Sequence, residues 1–136
     1  MTAKLPAFDD IVADFEFIDE WDEKYRYIID LGKNLEPLTD EERNEANKVR
    51  GCASQVWLVF EGEGDDVRFR GDSDASIVKG LVALMVSLFS GKAKGEVTAT
   101  DAEARLAEID LAEHITPQRS NGVASMIKRI KAEAAA

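Results

Sequence analysis

A single thiol dominates the chemistry this chain can do. Cys52 is the one cysteine among 136 residues, and it lies in the segment Asn47-Lys48-Val49-Arg50-Gly51-Cys52-Ala53-Ser54-Gln55-Val56-Trp57. One cysteine cannot close an intramolecular disulfide, and it cannot supply the four or so ligands of a thiolate metal cage. Three roles remain: an inert buried residue, a thiol that pairs with another chain, or a reactive thiol. Gly51 precedes the thiol, the cations Lys48 and Arg50 lie just upstream, and an apolar run follows. Either cation, if directed at the sulfur, would favour thiolate. The competing role is a small core hydrophobe, because free cysteines are often buried. Gly51 and Ser54 are poor company for a core position.

The other candidate groups are weaker. A cysteine hydrolase needs a histidine base, and the only histidine is His114. A surface or helix-end role explains that residue better. Cys52 and His114 are too few soft ligands for a metal, and the carboxylates show no ligand spacing. Gly62-x-Gly64 lacks the third glycine and following helix of a dinucleotide fingerprint, and a hairpin turn accounts for it. Arg119, in Thr116-Pro117-Gln118-Arg119-Ser120-Asn121-Gly122, is not needed to start a helix there. Its guanidinium can contact a thiolate, a carboxylate or a partner's backbone. Asp74 is either a helix cap or part of the surface around the thiol.

These groups must be held by elements that the apolar pattern outlines. Residues 8–34 carry a helical stripe (Ile11, Phe15, Ile18, then Trp21, Tyr25, Ile28, Ile29), with a break near residues 18–20. Gly32, Asn34 and Pro37 stop it. Thr39 with Glu42 predicts a capping box and a short helix. Residues 55–61 read as a buried strand, 61–66 as a turn and 67–71 as the return strand. A third, short strand is expected at 48–50, with Cys52 at the bend that follows and Gly51 supplying a positive φ. A nearly all-apolar helix spans 75–90, capped by Asp72, Ser73 or Asp74 and ended by Gly91. A short helix follows from Thr100 to Glu108. The last begins at Pro117, helped by Ser120 or Asn121. Its C-terminal end is favoured by Lys128, Arg129 and Lys131, and its Ala-rich tail is expected to fray.

Length suits one domain, 1–136, with one core. At 45% hydrophobic and 32% charged residues the chain is globular rather than disordered. A net charge of −10 argues against nucleic-acid binding, which needs cationic surface. No segment is apolar for the roughly 20 residues of a membrane span. Residues 1–6 do not read as a signal peptide, and the expected location is the cytoplasm. The acids from Asp9 to Glu23 form a solvated helical face or a docking surface for a basic partner.

Three blocks carry a family likeness: Gly51-Cys52-Ala53-Ser54-Gln55-Val56-Trp57, Gly71-Asp72-Ser73-Asp74-Ala75-Ser76-Ile77-Val78-Lys79-Gly80-Leu81, and Thr116-Pro117-Gln118-Arg119-Ser120-Asn121-Gly122-Val123. With Trp21-Asp22-Glu23-Lys24-Tyr25 and Ile28-Ile29-Asp30-Leu31-Gly32, they resemble the SufE family of sulfur acceptors in iron–sulfur cluster assembly, which includes CsdE. The resemblance implies an α+β fold like that of the IscU scaffolds. Combined with the elements above, this means a small antiparallel sheet of about three strands against several helices. It also implies that Cys52 carries a persulfide taken from a SufS-type cysteine desulfurase, which is thereby stimulated, and passes it towards an iron–sulfur scaffold. Pyridoxal phosphate would sit on the desulfurase, and no cofactor or metal on this chain. Lys48, Arg50, Gly51, Asp74 and Arg119 are the candidate supporting residues. Ala53 departs from the family, which often has a polar residue there. The rival reading is a desulfurase-binding adaptor with a structural cysteine. A carrier should hold its thiol partly shielded on a mobile loop until it docks.

Overall fold

A computed structural model describes residues 5–136. The N-terminal stripe folds as two helices, α1 (Phe8–Glu16) and α2 (Trp21–Gly32), with the break at 17–20 where the sequence predicts it. Phe8, Ile11, Phe15, Ile28 and Leu31 face the core. β1 (Val56–Phe60) follows, then β2 (Asp66–Val67) and β3 (Phe69–Ser73). β1 and β3 pair antiparallel, from Val56 opposite Ser73 to Phe60 opposite Phe69. The chain then enters α3 (Ser76–Phe89), buried around most of its girth. β4 (Lys92–Ala93) pairs with β2. Three short helices, α4 (Lys94–Ala99), α5 (Ala102–Ala107) and α6 (Leu111–His114), lead to the long α7 (Pro117–Ala135).

The apolar helix α3 lies at the centre, packed against α2, β3 and α7. The crossing with α2 is unusually close. A Cβ on Gly80 would lie 2.3 Å from the Ile28 carbonyl oxygen, and one on Gly32 would lie 2.7 Å from the Gly80 nitrogen. Backbone therefore meets backbone there, and Leu81, Leu84, Met85 and Leu88 on α3 are essentially inaccessible to solvent.

The α+β class and antiparallel pairing agree with the sequence; several local expectations do not. The third strand reduces to one bridged pair, Lys48 with Trp57. The return strand runs on through Ser73, so Asp72-Ser73-Asp74 ends a strand and caps nothing; α3 begins after Ala75 without a side-chain cap. Asp72 is drawn inward by ion pairs to Arg43 at 2.9 Å and Lys79 at 3.4 Å. The capping box forms, with Thr39 Oγ1 accepting from Glu42 N–H at 3.1 Å and Glu42 Oε1 accepting from Thr39 N–H at 3.0 Å. No helix follows it. Asn44 donates to the Glu41 carbonyl and accepts from Asn47 N–H, both at 2.9 Å, so side-chain bonds replace helical ones. Thr116, not Ser120 or Asn121, caps α7, accepting from Arg119 N–H at 3.2 Å; Pro at the first position demands a cap just before it. The Ala-rich tail remains helical to Ala135, with Ala134 buried.

Candidate functional site around Cys52

The stem of the Cys52 loop is two hydrogen bonds: Val49 N–H to the Val56 carbonyl at 2.8 Å and Leu58 N–H to the Asn47 carbonyl at 2.9 Å. Residues 50–55 form the tip. Gly51 is needed there for two reasons. Its φ is +90°, and a Cβ on it would sit 2.5 Å from Ser125 Oγ on α7. The tip is fastened behind the thiol by Asp74. Its carboxylate accepts from Gln55 N–H at 3.0 Å and from the Gln55 side-chain amide at 3.3 Å, while its own N–H donates to the Gln55 carbonyl.

Cys52 is half-buried and lies across α7. Its S–H donates weakly to the Gly122 carbonyl at 3.7 Å. Gly122 lies directly beneath the thiol: a Cβ there would sit 3.5 Å from Sγ, in ordinary van der Waals contact. Beside the thiol is a recess of about 180 Å³, floored by Val78 and Leu81 of α3 and Val123 and Met126 of α7, with Gln118 and Arg119 among its lining residues. Burial pushes the thiol's pKa above its ordinary value, because desolvation penalises thiolate.

The structure brings Gly51, Arg119 and, through Gln55, Asp74 to the thiol. Arg119 is the one charged residue lining the recess, and its guanidinium has no ion pair or hydrogen bond among the described residues. Lys48 and Arg50 are different. Neither lines the recess, and Arg50 turns back to pair with Glu45 at 3.0 Å in a fully solvated setting. The lowered thiol pKa expected from these two cations is therefore absent in this conformation. His114 is also occupied elsewhere. Its ring stacks on Trp21 with centroids 3.8 Å apart, its carbonyl accepts from the Tyr25 hydroxyl, and it does not line the recess. Among the described residues, no three His, Cys, Asp or Glu side chains are grouped to hold a metal ion. No described helix is long and apolar enough to cross a membrane.

Sequence reasoning missed the floor of the recess. Val78 and Leu81 show only as part of an apolar helix, and nothing in their spacing says that they face a thiol.

The molecule is thus a small α+β domain that seats one cysteine at a hairpin tip, against the first turns of its last helix. The profile of the SufE family, described as an Fe-S metabolism associated domain, matches residues 9–134. An uncharacterized SufE-like protein of Rhizobium meliloti is 50% identical over 134 residues, covering 96% of each chain. A second, from Rhizobium etli, is 49% identical over 134 residues, covering 96% of this chain and 90% of its own. The chain belongs to the SufE family, which serves iron–sulfur metabolism. The fold is shared with a hypothetical protein of Thermus thermophilus solved in solution. That match has a TM-score of 0.76 and 18% identity, and covers 98% of this chain and 96% of that one. A hypothetical protein solved as a crystal structure at 2.3 Å resolution matches less fully, with a TM-score of 0.52, 18% identity and coverage of 82% and 96%.

Proposed function

We propose that this chain accepts sulfur onto Cys52 from the persulfide of a SufS-type cysteine desulfurase, stimulates that enzyme by removing its product, and hands the sulfur on for iron–sulfur cluster assembly. The observation that carries this reading is the lone thiol seated at a hairpin tip beside a recess that has an apolar floor and an unpaired guanidinium among its lining residues. Membership of a family that in general works with cysteine desulfurases supports it. The thiolate of Cys52 attacks the terminal sulfur of the donor persulfide. The donor S–S bond breaks, its cysteine leaves as thiolate, and Cys52 becomes the persulfide; no external oxidant or reductant is consumed. This chain needs no cofactor for the exchange, and pyridoxal phosphate belongs to the partner. Arg119, which lines the same recess as Cys52, is the cation that would stabilise either anionic sulfur. The recess exceeds the about 150 Å³ known to admit a benzene ring, so one further sulfur atom fits. A reduced thiol suits the cytoplasm.

The half-burial of the thiol favours one other reading, an adaptor that binds the desulfurase through a structural cysteine. Intact mass separates the two. After incubation with desulfurase and cysteine, the carrier gains roughly 32 Da, one sulfur atom, which reductant removes. Cys52→Ser does not gain it. Binding without any mass gain would establish the adaptor instead, and a gain retained in Cys52→Ser would remove Cys52 from the chemistry.

A further inference from the structure

The loop that carries Cys52 rests on one stripe of α7, at positions 122, 125 and 129. These are spaced by three and four residues and share a helix face. At 122 the backbone carbonyl accepts from the thiol. At 125 the serine abuts Gly51. At 129 an arginine does something different. Arg129 donates to the Ala46 carbonyl at 2.9 Å and to the Lys48 carbonyl at 3.3 Å. Both carbonyls belong to the chain that leads into the loop.

The register explains why those carbonyls are free to accept. The Asn47 carbonyl and the Val49 N–H turn towards β1. Lys48, between them, turns its own groups the other way. Its carbonyl is on the outer edge of a one-bridge strand, and Arg129 covers that edge. Among the described residues, it is the only α7 side chain that hydrogen-bonds any part of residues 46–55. Its aim is steadied by Glu133, 3.8 Å from Nε. The stem it braces has just two backbone hydrogen bonds of its own, so the guanidinium supplies as many contacts as the stem does.

We propose that Arg129 is a positioning residue for Cys52: its fork on the Ala46 and Lys48 carbonyls holds the loop stem against α7 and so sets how far the thiol is withdrawn into its recess. Arg129 touches neither sulfur nor any reacting atom; it acts through the loop. Its importance for sulfur transfer rests on the reading of Cys52 as acceptor, but the withdrawal of the thiol does not.

The test uses the isolated chain and a thiol reagent, so it stands whether or not the sulfur-acceptor reading does. Native alkylation of Cys52 by iodoacetamide is followed from neutral to alkaline pH, with thermal melting measured alongside. Arg129→Met keeps the aliphatic stem and removes both donors. It is expected to speed alkylation about ten- to hundredfold, the range set by losing hydrogen bonds from a charged donor. The rate midpoint should move down towards that of the urea-unfolded chain, with little change in melting temperature. Arg129→Lys, which keeps the charge but loses the planar fork, should fall between. Leu106→Ala, a core truncation on α5 that does not line the Cys52 recess, controls for general loosening. An unchanged rate in Arg129→Met overturns the proposal. So does a rise that Leu106→Ala reproduces at matched melting temperature. If Arg129→Met does not fold, the rate and pH midpoint of Arg129→Lys decide by the same criteria.

Discussion

At Cys52 two physical demands oppose each other. The sulfur exchange proposed for it needs thiolate, yet the fold withdraws the thiol from water and raises its pKa. The resting protein is thus the unreactive form, and access becomes the control variable. Alkylation of the native chain should be slow at neutral pH and rise with a midpoint above that of the same chain unfolded in urea. Equal midpoints would mean that the recess has no electrostatic effect. The sign follows from burial favouring the neutral form: native stability from this group is intact at neutral pH and lost as pH rises through the elevated value. The sequence could place the thiol at a bend after Gly51, because a positive φ has a residue signature. It could not show the raised pKa, whose cause is burial beneath side chains from two distant helices. It pointed instead to Lys48 and Arg50, which are adjacent in sequence but directed elsewhere.

Among the elements, α3 organises the rest, and at its crossing with α2 backbone meets backbone. Gly80→Ala gains helix propensity of about 1 kcal/mol. It also drives a methyl to 2.3 Å from the Ile28 carbonyl oxygen, a clash of backbone against backbone that no rotamer relieves. Overpacking of this kind costs about 1–3 kcal/mol or more, so the clash wins. The urea midpoint should fall at unchanged m-value, and an unchanged midpoint would show that α2 can slide away. Elements with long periodic patterns were legible: α1 and α2 with their break, α3 and its Gly91 stop, the β1–β3 hairpin and the Pro117 start of α7. Of the short ones, α5 was legible, its Ala102–Ala107 lying within the expected Thr100–Glu108, whereas α4 and α6 were not. α4 buries only Val97 and α6 only Leu111, too little apolar pattern to read. The Thr39–Glu42 capping box misled because its local bonds form without a helix, while Glu42 is committed to Arg70 and Asn44 supplies turns.

On the scale of the whole molecule, the segment before the loop is tied to the sheet by charge. Arg70, on β3, binds Glu42, reaches Glu61 at 3.0 Å and donates to the Pro37 carbonyl at 3.2 Å. The hydrogen bond from Arg70 holds the Glu42 carboxyl at about 2, against an ordinary 4.5. A depressed folded-state pKa adds stability that is fully present above the ordinary value and is lost as pH falls through the folded one. The urea midpoint of Glu42→Gln should therefore lie below that of the parent above pH 4.5, and the gap should close as pH approaches about 2. A gap independent of pH would assign the effect to packing. The recess has a last consequence, for survival under oxidants. With one cysteine in the chain, a sulfenic acid at Cys52 has no internal thiol to resolve it. Its reversible exits are a disulfide to another molecule, a small-thiol cap or a sulfenamide with a backbone nitrogen, and the alternative is the irreversible climb to sulfinic and sulfonic acid. Keeping the sulfur protonated and half-covered therefore also slows the loss of this one thiol to peroxide.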